Sequence, residues 1–335
     1  MKIRDVFLSI SYFLNKVEPL KIFFSKAISI TKKYSRRSLP YLFMMPFFAY
    51  IMLTWIGPVV ITIILSFTKT QWTITNMRFI GLKNFEKIFT RDIFAFDAFK
   101  VTALYVSTVI IINAFFSLIL AIFTTYFIKN ETIASGIRLL WLVPRITPAV
   151  IYAVLWRWFV DPDIGMLNRL LSLFGLPAPS DWRLTAPYSQ ILMILINGYV
   201  GASFGMIIYS AAITSIPREL FYAASVDGAS DWQIIRRIIL PLLKWPVFFV
   251  TSWQTLSLLS SYEHILAFWG EAGTARAAEV EVWALYSYTK AFYDDEYGYG
   301  AALSVFLVII GMFFIVIFFK IFGFRRMMQP SRVEV

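Results

Sequence analysis

The chain has 335 residues, 59% of them hydrophobic and 18% aromatic, with only 15% charged and a formal net charge of +11. Soluble domains carry about a quarter charged residues, so this composition excludes an ordinary water-soluble protein and calls for several membrane-crossing helices. No cysteine is present, which removes disulfides and thiol chemistry; the basic residues cluster beside apolar runs, which suits anionic lipid and orientation rather than nucleic acid.

Residues 1–37 hold nine Lys/Arg against two acids, with apolar residues interleaved. No uninterrupted run there reaches the roughly 18 residues needed to cross a bilayer. The expectation for 1–38 is therefore an amphipathic interfacial segment on the cytoplasmic side, not a cleaved signal peptide. Six spans are expected at about 39–67, 102–128, 137–159, 188–214, 241–266 and 301–323, followed by a cytoplasmic tail over 326–335. An even number of spans puts both termini on one side, and the basic ends assign that side to the cytoplasm. The acidic loop 267–299 agrees with this orientation, whereas the first outer loop, with Lys69, Arg78, Lys83, Lys87, Arg91 and Lys100, does not. Residues 156–183 read as an outer loop with a break at Pro162, a short helix and a Pro177/Pro179 turn. Trp156-Arg157-Trp158 within it reads as an interface belt, or as a contact for a delivering protein.

Between two apolar runs, on the expected cytoplasmic side, lies the polar stretch Ile216 to Pro241. Pro217 ends the preceding helix, Arg218 to Ser225 reads as a short helix, and Asp227-Gly228 as a turn. Ser230 or Asp231 can cap a second helix, with Trp232, Ile235 and Ile239 on one side and Arg236 and Arg237 on the other. A helix–turn–helix held against the bilayer by two hydrophobic anchors has the shape of a docking elbow.

The spacing of Ala223-Ala224, Gly228, Ile238 and Leu240-Pro241 resembles the "EAA" coupling loop of ABC importer permeases. Ile216-Pro217, Glu219 and Asp227-Gly228-Ala229 resemble its carbohydrate-uptake, maltose-permease-like branch. Tyr222 departs from the pattern, since the family has its first glutamate there. Phe79 to Phe85, the Asp-Pro, glycine-led helix and tryptophan of 156–183, and Tyr297 to Ala302 are similar to further family features, so the resemblance covers about residues 39–325. It implies an all-α polytopic protein with the type I ABC importer permease fold, six core transmembrane helices and a coupling loop at 216–241. It also implies ATPase-coupling roles for Glu219, Tyr222, Ala223, Ala224, Asp227, Gly228, Ile238, Leu240 and Pro241.

Polar residues at membrane depth are costly and mark pathways or partners. Arg145, between Pro144 and Pro148, matches a family position that can touch substrate, where a cation would favour a carboxylate or phosphate on the solute. Pairing with Glu263, pairing with a neighbouring subunit's acid, and snorkelling to an interface are the other readings. Asn197 matches a family asparagine that contacts sugar hydroxyls, and Gly201 and Phe204 share its helix face; ordinary helix packing through Asn and Gly is the alternative. Gln254, Leu258 and Ser261 recur at helical spacing and match cavity-facing family positions, with Tyr262 and Glu263 beside them. His264, the only histidine, reads as a hydrogen-bonded structural residue.

No G-x-x-x-x-G-K-[ST], H-E-x-x-H or G-x-S-x-G occurs, so neither ATP binding nor hydrolytic catalysis is expected of this chain, and no metal site. ATP and Mg would be bound by a partner ATPase. The resemblance implies four kinds of neighbour in a prokaryotic inner membrane: a second six-span permease, two ATP-binding subunits, an extracytoplasmic solute-binding protein and membrane lipid. The expected cargo is a sugar or oligosaccharide, with an acidic one (a uronate oligomer or glycerol-phosphate type) suggested by Arg145 and a neutral oligosaccharide as the alternative. An ion-coupled secondary transporter would need an ion site at the midplane, and a membrane enzyme a reactive constellation that the sequence lacks.

Overall fold

The computed structural model describes residues 39–72, 77–270 and 272–322; the N-terminal segment 1–38 and the tail 326–335 lie outside them. The chain divides into two compact units at Ile61/Thr62. In the first, helix α1 (Leu39–Ile51) contains Pro46 and passes into a π-turn, Met52–Ile56. Helix α2, Gly57–Ser66, continues from it, and Phe43–Ser66 is long and apolar enough to cross a membrane. Its side chains from Tyr41 to Leu53 are largely exposed and apolar, as lipid contact requires.

In the second unit, a two-residue ribbon pairs β1 (Thr68–Lys69) with β2 (Arg78–Phe79) and leads into the short helix α3, Lys83–Thr90. Helix α4, Ile93–Ile122, starts about two and a half turns earlier than the apolar run suggests, because Asp92 caps it: its carboxylate accepts from the Ala95 N–H at 3.1 Å. A π-turn, Phe123–Phe127, completes this span.

The expected span at 137–159 is instead two helices, α5 (Glu131–Ile146) and α6 (Ala149–Phe159), bent by 99°. Pro144 is tolerated inside α5; the break comes at Thr147-Pro148, where the residue before a proline is driven to extended backbone. Helix α7, Met166–Leu173, forms the short helix expected in 156–183, and the Trp182 indole donates to Asn168 at 2.6 Å.

Helix α8, Tyr188–Thr214, packs along α4 and forms the centre of this unit. After it come α9 (Arg218–Val226), α10 (Asp231–Ile234), a π-turn (Ile235–Ile239) and α11 (Leu240–Leu242). Helix α12 runs over Lys244–Ser260, so the expected span 241–266 is shortened: the chain breaks at Ser261 and starts again as α13, Glu263–Trp269. Helices α14 (Ala272–Ala277) and α15 (Trp283–Phe292) follow, and α16, Tyr297–Phe322, is the final apolar helix.

Among the described residues four helices pass as spans by length and apolarity, or five with the bent pair. The expected six are not reached on that measure, since α12 has 17 residues and the third span is broken. The stretch 267–299, expected as the loop between the last two spans, carries helix with buried side chains. Leu285 and Tyr286 are fully buried, the Trp283 indole donates to Leu303 O at 2.8 Å, and the Trp283 N–H is held by Thr102 Oγ1 at 2.7 Å. Its acids also answer the basic segment over 69–100: Lys87 pairs with Glu296 at 2.9 Å. The excess of positive charge read there is partly neutralised by residues more than two hundred positions away.

Candidate functional site: a polar cavity at membrane depth and a polar elbow

Three breaks and crossings create the cavity. The α5–α6 bend brings Arg145 in the last turn of α5, with Ala149 and Tyr152 on α6, to one wall. Helix α8 supplies Asn197, Val200, Gly201 and Phe204, which recur on one face at helical spacing. Helix α12 supplies Trp253, Gln254, Ser257 and Leu258, and the break after it turns Ser261, Glu263 and His264 inward. The cavity measures about 280 Å³, near the lower end of small-molecule sites, roughly 300–1,000 Å³. All eight residues singled out in the sequence line it: Arg145, Asn197, Gly201, Phe204, Gln254, Leu258, Ser261 and Glu263.

The arrangement assigns them different physical duties. Gln254 donates to the Gly201 carbonyl at 3.2 Å, tying α12 to α8. Ser261 and Tyr105 hold the two ring nitrogens of buried His264, each at 3.2 Å, so this histidine is a hydrogen-bonded structural group. The Arg145 guanidinium lies 5.7 Å from the Phe204 ring centroid, within cation–π range, and is exposed into the cavity. Arg145 and Glu263 share the cavity without forming an ion pair within 4.0 Å. Phe204 and Trp253 form an aromatic wall, centroids 6.2 Å apart. Tyr262 turns away and stacks on Tyr288 at 4.9 Å.

Sequence reading missed Asn113, Tyr152, Trp253 and Ser257. Asn113 is 1% exposed and its Oδ1 has no hydrogen-bond partner; a mid-helix Asn in the apolar run of α4 was the available signal. Among the described residues no group of three His, Cys, Asp or Glu is placed to hold a metal.

The elbow is built as a clamp with one greasy side. Gly228 takes φ +75° and allows the chain to turn between α9 and α10. Ser230, not Asp231, is the cap: a reciprocal capping box joins it to Gln233, with the Ser230 N–H donating to Gln233 Oε1 at 2.8 Å. Ile234, Ile235 and Ile239 are buried against Tyr209, Ile213 and Ile216 at the end of α8. Trp232, expected beside Ile235 and Ile239, is instead 65% exposed. It sits in the first turn of α10, before the i→i+5 segment brings the isoleucines inward. The Asp231 carboxylate accepts from the Tyr126 hydroxyl at 2.7 Å, fastening the elbow to the far end of the α4 span. Glu219, Tyr222, Ala223, Asp227, Gly228 and Pro241 are exposed, and Ala224, Ile238 and Leu240 are half-buried. Helix continues through Pro241 to Leu242, so the next long helix begins only after Leu243.

Apolar helices around a polar cavity, with a polar elbow anchored at one end, define a membrane transport protein of the permease class. The chain belongs to the family of binding-protein-dependent transport system inner membrane components, whose model matches residues 93–328. It is 30% identical over 282 residues to the Bacillus subtilis "Probable ABC transporter permease protein YesP", covering 83% of this chain and 88% of that one. It is 25% identical to the trehalose/maltose transport system permease protein MalF of Thermococcus litoralis, covering 88% and 97%. Its fold is similar to a chain in the crystal structure of a bacterial ABC transporter involved in the import of the acidic polysaccharide alginate. That match has a TM-score of 0.77 at 20% identity, over 90% of this chain and all of the other.

Proposed function

We propose that this chain is the permease subunit of an ATP-driven, binding-protein-dependent importer of sugars or oligosaccharides, and that its cargo is acidic. Family membership and relatives such as MalF support the importer class. The observation that carries the charge assignment is Arg145, a cation exposed into the cavity and free of a carboxylate within 4.0 Å among the described residues. A uronate or phosphate on the solute would complete it with charge-assisted hydrogen bonds, while Phe204 and Trp253 offer faces for sugar rings and Asn197 a polar group for hydroxyls. The alginate importer of similar fold agrees with an acidic cargo.

Hydrolysis belongs to separate ATP-binding subunits, which dock on the α9–α10 elbow. ATP-driven closure of those subunits moves the elbow as a rigid body, and its buried isoleucines transmit the motion to α8 and to the cavity. A second, similar permease completes the pathway, an extracytoplasmic binding protein delivers the solute, and both termini face the cytoplasm. Tyr222 meets the ATPase where the family pattern has a glutamate, so that contact is made by a phenol rather than a carboxylate.

The test is uptake by the reconstituted importer of an acidic and a neutral oligosaccharide, with Arg145 and with Arg145→Ala. Hydrogen bonds to charged groups contribute about 1.5–3 kcal/mol, so loss of the cation lowers acidic uptake roughly ten- to hundredfold. Unchanged acidic uptake removes the charge argument. Glu263 in the same cavity favours one second reading, a neutral oligosaccharide whose hydroxyls bridge Arg145 and Glu263; equal loss of neutral uptake in the same variant selects it. Co-purification of an ATP-hydrolysing subunit, abolished by substitutions in Ala223–Leu240, tests the docking assignment.

A further inference from the structure

The segment between Ser66, where α2 ends, and Ile93, where the α4 span begins, returns to the membrane it has just left. Its described parts, 66–72 and 77–93, are held by specific contacts. The Asn84 amide donates to the carbonyls of Ser66 and Thr68, both at 2.9 Å, and Lys87 is fixed by Glu296 and by the Tyr299 ring at 3.8 Å. Around α3 these contacts leave two cavities of opposite character. One, about 500 Å³, is lined by Lys69, Lys83, Lys87 and Arg91 against Glu86 and Glu296. With Lys87 and Glu296 paired, three cations face one carboxylate. The other, about 450 Å³, is an apolar groove lined by Phe89, Ile93, Phe96, Phe99 and Phe306. Arg91 lines both cavities, so they share a wall. Phe89 and Ile93 are 68% and 74% exposed, at the boundary where the α4 span starts.

We propose that the two cavities form one site for an anionic phospholipid, its phosphate among Lys69, Lys83 and Arg91 and an acyl chain along Phe89, Phe96 and Phe99. The chemistry asks for both halves at once. A free phosphate would satisfy the cations and leave the groove empty, and a zwitterionic lipid would fill the groove but bring a cation of its own to the basic cavity. A protein partner seated here would have to present a long apolar side and an acid to the same corner, whereas in a membrane-spanning chain the lipid is already in place. The site would pin α3, and with it the start of α4, to the bilayer surface. It does not depend on the identity of the transported solute.

The experiment uses the intact importer, purified with its accompanying subunits in a mild detergent. Native mass spectrometry and thermal unfolding are recorded with phosphatidylglycerol, with phosphatidylcholine of the same acyl chains, and with inorganic phosphate. Phosphatidylglycerol should be retained at least fivefold better than phosphatidylcholine and raise the unfolding temperature, and inorganic phosphate should do neither. The variant Lys69→Gln/Lys83→Gln/Arg91→Gln should lose that preference while keeping its lipid-free unfolding temperature. If it does not fold, Arg91→Gln alone should lower phosphatidylglycerol retention at least threefold. Phe96→Ala should weaken retention of both lipids without changing the preference between them. Equal retention of the two lipids, an unchanged preference in the basic-residue variants, or a phosphate effect as large as that of phosphatidylglycerol would each overturn the assignment.

Discussion

Gly201 and Asn113 approach so closely that a Cβ on residue 201 would fall inside the Asn113 side-chain amide. The same glycine offers its carbonyl to Gln254, so one missing methyl group lets α4, α8 and α12 meet at the cavity. Gly201→Ala must therefore push Asn113 or α8 away. Overpacking of this kind costs roughly 1–3 kcal/mol. The expected result is a lower unfolding temperature together with reduced uptake, read from thermal unfolding in detergent and transport in vesicles. Full uptake at wild-type stability would mean that the three helices are not constrained at this point.

At the elbow, Gly228 at φ +75° occupies a conformation that L-residues resist. Gly228→Ala should cost about 1–2 kcal/mol, and Ser230→Ala about 1 kcal/mol through loss of the cap. Both changes loosen the elbow without touching the cavity. Under the proposed coupling they should lower solute-stimulated ATP hydrolysis more than solute binding, and assaying the two side by side separates these effects.

The buried acid Glu281 gives a third expectation. Glu281 is 4% exposed and accepts from Arg276 at 2.7 and 3.2 Å. Burial raises its pKa above the ordinary value, and Arg276 only partly offsets this. Arg276→Ala would leave the carboxylate without its partner. Because Arg276 is itself part-exposed, the loss should fall toward the lower end of the about 3–5 kcal/mol seen when a buried pair is broken. Adding Glu281→Gln to that variant should recover part of it in chemical unfolding.

Asp92 has a pH signature of opposite sign. Burial by itself would raise its pKa, but the hydroxyls of Tyr286 and Tyr299 and the Ala95 N–H together outweigh it and hold the carboxyl below its ordinary value. A depressed folded-state pKa stabilises the fold above the unfolded value of about 3.9, and that contribution disappears as the pH falls through the folded-state pKa. Asp92→Asn should destabilise by roughly 1–3 kcal/mol at neutral pH, and the gap from wild type should narrow below about pH 4. Unfolding curves taken from pH 7 to pH 3 test this, and a constant gap would contradict it.

The plan of the elbow was legible because its signals are local: a proline stop, a glycine turn and a serine cap act within a few positions, although the side taken by Trp232 was not. The cavity residues were partly legible, since Asn197, Gly201 and Phe204 share a face at helical spacing, and Gln254, Leu258 and Ser261 recur in the same way. Asn113 carried only the signal of an amide within the apolar run of α4, and its place beside the others came from the packing of α4 on α8. In the third span Pro144 and Pro148 mark an interruption in the sequence, but which proline breaks the helix, and the bend of 99° that results, came only from the structure.

By itself the amino-acid sequence determined that this chain lives in a membrane and which polar stretch folds as a helix–turn–helix between prolines, a glycine turn and a capping serine. These follow from composition and from interactions within a few residues. Only the tertiary structure decided that Trp283, Leu285 and Tyr286 are buried, that Trp232 faces outward, and that Lys87 finds Glu296. Such outcomes depend on contacts between positions far apart in the chain, where burial and ion pairing outweigh local hydropathy, and no window of neighbouring residues contains both partners.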